Sequence, residues 1–98
     1  MVIEIKRNAD VTTMELVGRL DTTTAPSLEK TIGDSIGETK KLILDLKGLE
    51  YVSSAGLRVL LGAQKKMQLV GTMELINVQE TVMDVLEITG FADILTIK

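Results

Sequence analysis

The chain has 98 residues, 45% hydrophobic and 26% charged, with a formal net charge of −3, the size and balance of one globular domain around one core. One Tyr, one Phe and no Trp leave no aromatic platform for stacking bases, and no long basic run draws the chain to a phosphate backbone or an anionic membrane, which excludes nucleic-acid binding. The absence of Cys and His removes disulfides, thiolate chemistry, the commonest metal ligand and any Ser-His-Asp arrangement.

No apolar run reaches the roughly 18 residues of a membrane span. Residues 1–6 alternate as a strand and lack the apolar core of a signal peptide. Residues 1–98 are therefore expected to form one cytoplasmic domain without membrane insertion.

In chain order, residues 2–7 set Val2, Glu4 and Lys6 against Ile3 and Ile5, the period of a strand with one buried face. Asn8-Ala9-Asp10 is a turn, and residues 11–17 form a second strand, antiparallel to the first. Gly18-Arg19-Leu20-Asp21 ends that strand. Thr22, Thr23 and Thr24 offer helix caps, Pro26 suits a first turn, and Leu28, Ile32 and Ile36 mark the apolar stripe of a helix that stops near Gly37. Residues 41–46 are almost continuously apolar, which predicts a strand covered on both faces and broken by Gly48. A second amphipathic helix follows, with apolar residues at 57, 60, 61, 67 and 70, a serine cap at its start and Gly71 at its end. Residues 72–77 read as a strand, Val82, Leu86 and Thr89 as one face of a third helix stopped by Gly90, and residues 93–97 as a short last strand.

The order β-β-α-β-α-β-α-β defines an α/β domain with a mixed β-sheet, whose alternating part consists of parallel strands joined by right-handed crossovers. If the parallel strands add in sequence order, the helices lie mainly on one face and the other is less covered. Function then belongs to the edge where strands pass into helices.

Ser53 and Ser54 are the leading candidates for chemistry. They stand where a helix needs its cap, a place that also suits a bound or covalent phosphate. Gly56 either relieves crowding in the first turn or leaves backbone N–H groups open to an anion. Asp21 and Asp45 each end a strand and are expected on the same sheet edge; Asp21 caps the first helix or fixes its loop, and a metal held between the two acids is the lesser alternative. A serine nucleophile would have only Lys65 or Lys66 as a base, both about three turns along the helix, so no catalytic residue and no cofactor is assigned. Arg58, Lys65 and Lys66 form a small basic stripe.

These residues resemble the STAS family over almost the whole chain, and in particular its bacterial anti-sigma factor antagonists. The resemblance rests on Leu44-Asp45-Leu46 ending a strand, on Tyr51-Val52-Ser53-Ser54-Ala55-Gly56-Leu57 opening a helix, and on Gly18-Arg19-Leu20-Asp21 followed by Thr24-Ala25. It implies a SpoIIAA-like fold and a non-enzymatic regulator that binds an anti-sigma factor with serine kinase activity, is released by phosphorylation and is reset by a phosphoserine phosphatase. By position the phosphoacceptor is Ser54, with Ser53 where the family usually has Asp. The partner-binding surface implied by the resemblance comprises Asp21, Thr22, Thr23, Ser53, Ser54, Ala55, Gly56, Leu57 and Arg58. Many antagonists carry a further C-terminal helix, whose contacts are expected to be missing here. The alternative within the same family is a scaffold subunit of a larger assembly, such as a lipid-transport ATPase complex.

Overall fold

The computed structural model describes residues 1–98. Strand β1, Val2–Asn8, turns through Ala9-Asp10 into β2, Val11–Leu20, and the two pair antiparallel with Asn8 opposite Val11. Helix α1, Ala25–Ile36, crosses to β3, Lys41–Val52; helix α2, Ser54–Val70, crosses to β4, Thr72–Ile76; and helix α3, Glu80–Ile88, follows. The sheet order is β1-β2-β3-β4, with β2, β3 and β4 parallel. The strands thus stand side by side in the order of the chain.

One face of this sheet carries the core. Met14 and Leu16 of β2, Leu42, Leu44 and Leu46 of β3, and Met73 and Leu75 of β4 alternate inward. They join Leu28 and Ile32 of α1, Leu57, Leu60 and Met67 of α2, and Val82 and Leu86 of α3 in one buried cluster. Each buried side chain of this size contributes roughly 1.5–3 kcal/mol relative to exposure. No helix is long and apolar enough to cross a membrane.

The opposite face is open, which corrects the expectation that β3 is covered on both sides. Ile43 and Asp45 are only half-buried, and the open face carries ion pairs from Lys6 to Glu15 at 3.1 Å and from Lys41 to Glu74 at 3.4 Å. The apolar run misled because Ile43 is one apolar residue on an otherwise polar face. Strand β1 is also less covered than its alternation predicts, with Ile5 51% exposed at the sheet edge.

Gly48 does not break β3. It lies inside the strand where the register against β2 slips between Glu15 and Val17, and a Cβ there would sit 2.9 Å from Val17 Cγ2. The glycine permits a bulge and a close approach of backbones, so the strand continues to Val52. The last predicted strand shrinks: Phe91–Asp93 is a 3-10 turn, and only Ile97 bridges to Leu75 of β4. Residues 93–97 alternate well enough for a strand, yet Asp93 is drawn into the turn that follows the left-handed Gly90.

Candidate functional site

Strands β2 and β3 end together. Leu20 lies opposite Val52, and Ser53 N–H donates to the Leu20 carbonyl at 2.8 Å, which ties the start of α2 to the end of β2. The two loops leading into α1 and α2 are therefore neighbours.

The first loop satisfies itself. Asp21 Oδ1 accepts from Thr23 N–H at 2.9 Å, from Thr23 Oγ1 at 2.6 Å and from Thr24 N–H at 3.2 Å. The hydroxyl bond from Thr23, followed by the backbone bonds, holds the Asp21 carboxyl below the usual carboxylate range despite some desolvation. Thr24 Oγ1 accepts from Asp21 N–H at 2.9 Å and donates to the Arg19 carbonyl at 2.8 Å. Asp21 thus fixes the loop, as one of its two expected roles required. Thr24 takes the N-cap position of α1 without a side-chain cap bond.

In the second loop the work of the two serines is divided. Ser53 is the N-cap of α2, with extended backbone and its Oγ accepting from Gly56 N–H at 3.3 Å. Ser54 is the first helical residue, is exposed, and its hydroxyl makes no hydrogen bond. Of the two readings of Gly56, crowding is the one the packing supports: a Cβ would sit 2.6 Å from Leu20 Cγ and 3.0 Å from Val52 Cγ2. Its N–H, moreover, is already taken by Ser53.

Thr22, Thr23, Ser54 and Arg58 are exposed, whereas Asp21, Ser53 and Ala55 are half-buried. Gly56 and Leu57, expected in the contact surface with them, are buried beneath it. Between the start of α1 and the first turns of α2 runs an open groove of about 260 Å³, bordered by Thr22, Pro26, Glu29, Ala55 and Arg58. Asp45 lies elsewhere. It sits within β3 opposite Glu15 and accepts from Lys47 N–H and Asn77 Nδ2, each at 3.1 Å, so the two aspartates do not form a pair. The structure contains no cluster of acids suited to a metal ion.

Two neighbours were missed in the sequence. Arg19 stacks over the ring of Tyr51, 4.3 Å from its centroid, on the paired residues just before Leu20 and Val52. The signal available was positional, since each stands one residue before the last of its strand.

With fold and loops in view, the chain belongs to the STAS family, whose domain model matches residues 2–98. It is 36% identical over 81 residues to the putative anti-sigma factor antagonist BtrV of Bordetella bronchiseptica, covering 81% of this chain and 70% of that protein. It is 33% identical over 99 residues to the anti-sigma-B factor antagonist of Listeria monocytogenes, covering 98% and 87%. Its fold is similar to that of the anti-sigma factor antagonist SpoIIAA in its unphosphorylated form, with a TM-score of 0.85 at 19% identity over 99% of this chain and 88% of that one.

Proposed function

We propose that this domain is an anti-sigma factor antagonist: it docks on an anti-sigma factor through the neighbouring loops before α1 and α2, and phosphorylation of Ser54 ends the complex. The observation that carries this reading is the free, exposed hydroxyl of Ser54 at the first residue of α2, whereas the hydroxyls of Ser53, Thr23 and Thr24 beside it are engaged in holding the two loops. The relatives named as anti-sigma factor antagonists support the class of partner.

The physics suits a local switch. A phosphate on Ser54 adds about −1.5 to −2 charge units at a helix N-terminus, which tolerates negative charge by roughly 0.3–2 kcal/mol. The domain stays folded while the docking surface becomes charged. In this reading the domain catalyses nothing; the kinase and its ATP belong to the anti-sigma factor, and a separate phosphatase restores the hydroxyl. Such a partner places the domain in the cytoplasm.

The test is calorimetric titration against the anti-sigma factor, with phosphosite mapping after incubation with that partner and ATP. Wild type and Ser54→Ala should bind alike. Ser54→Asp should bind about a hundredfold more weakly or worse, because an unpaired charge buried at an interface costs several kcal/mol. Tight binding by Ser54→Asp, or phosphate found on Ser53 alone, would overturn the assignment; constitutive binding without any phosphate transfer would favour a scaffold subunit.

A further inference from the structure

We propose that β1 is a dimerisation edge, along which a second copy of this chain adds its own β1 antiparallel, joining the two four-stranded sheets into one with the two-fold axis at Ile5.

The hydrogen-bond phase of β1 follows from its hairpin. Asn8 and Val11 flank the two-residue turn Ala9-Asp10, with Ala9 at φ 56°, and the residues flanking such a turn exchange both of their backbone bonds. Alternation then makes Lys6, Glu4 and Val2 the residues bonded to Thr13, Glu15 and Val17. The N–H and C=O groups of Ile3, Ile5 and Arg7 consequently point away from β2, and β1 has no strand on that side. Ile5 at the centre of this edge is 51% exposed and Val2 is 56% exposed. An edge with an exposed apolar residue at its middle is a template for another strand.

Side-chain charge selects a second copy as that strand. Antiparallel pairing about Ile5 places Ile5 against its own symmetry mate as a bonded pair, Ile3 against Arg7, and Glu4 against Lys6, twice over. The Glu4 and Lys6 positions are non-bonded pairs, the type in which opposite side chains stand closer. Every charge on the open-face side of the edge thus meets its opposite. A shift by one residue in either direction removes this match, which gives one register an advantage. Lys6 keeps its bond to Glu15 at 3.1 Å and has further donors for Glu4 of the second copy. The Arg7 guanidinium is held by Glu38, Thr39 and the Ser35 carbonyl, so it stays over the end of α1 and leaves its backbone free. Strand β2 separates this edge from β3 and the Ser54 loop.

The test is sedimentation velocity over about a hundredfold range of protein concentration, since self-association follows mass action. Wild type should pass from monomer to dimer. Glu4→Lys sets Lys against Lys across the two-fold and should weaken the dimer about tenfold or more. The same change improves the monomer, because residue 4 lies opposite Glu15, so its thermal unfolding should not drop. Lys6→Glu should likewise be monomeric alone. An equimolar mixture of Glu4→Lys and Lys6→Glu restores both pairs and should dimerise. A wild type that stays monomeric throughout, as when the edge receives a strand of some other protein, would overturn the proposal. So would a Glu4→Lys dimer as tight as wild type, or a mixture that fails to associate while each variant remains folded.

Discussion

The loops that lead into α1 and α2 leave the same edge of the sheet, yet they treat their polar groups in opposite ways. Before α1, one carboxylate gathers two backbone N–H groups and a hydroxyl, and Thr24 bonds in two directions. Before α2, one serine closes the helix and the next is left over. The first loop is built to keep a shape and a fixed negative charge; the second keeps its shape with Ser53 and leaves the Ser54 hydroxyl unbonded. The fold therefore depends on Ser53 and not on the Ser54 hydroxyl.

That contrast breaks most visibly at Gly56, which seats the second loop against the end of the first. Gly56→Ala should destabilise by about 1–3 kcal/mol through overpacking against Leu20 and Val52, seen as a lower midpoint in urea with little change in slope. The serines sharpen it. Ser53→Ala should cost about 0.5–2 kcal/mol by removing the cap of α2, whereas Ser54→Ala should change stability by less than about 0.5 kcal/mol in the same measurement. Equal losses for the two would mean that both hydroxyls hold the helix.

The smallest effect concerns pH and the first loop alone. Asp21 is lowered from its ordinary value of 3.8 by hydrogen bonds that favour the carboxylate. Folding therefore draws stability from its ionised form above that value and loses it as pH falls through the lowered one. Asp21→Asn should be less stable than wild type near neutrality, and the gap should close on acidification. Thermal unfolding of both proteins across the acid range measures it; a gap constant with pH would assign the loop's order to geometry without charge.

Much of this arrangement could be read from the residues, because the helices and strands obey their own periods. Leu28 and Ile32 marked the buried stripe of α1, and Gly71 the end of α2. Three features could not be read. The continuation of β3 through Gly48 depends on a backbone approach by β2, a contact between strands more than twenty residues apart. The cap belongs to Ser53 because its neighbour has already turned helical, and two adjacent serines offer local propensity no means of choosing. The inward side of α2 also includes Val59, Ala63 and Gln64, which the expected stripe omitted: the helix is pressed by α1 on one flank and the sheet beneath it, so its covered arc is wider than a simple stripe.

The agreement between sheet order and chain order also bears on how the molecule assembles. Each strand after the first hydrogen-bonds to the strand just before it, and only one helix intervenes between paired parallel strands. The loops that must close between paired strands are thus short, which keeps the loop-closure entropy of each pairing modest. The tail pairs with the sheet only through the bridge from Ile97 to Leu75, so the Lys98 amide that closes it should exchange with solvent long before the bonded amides of β2 and β3.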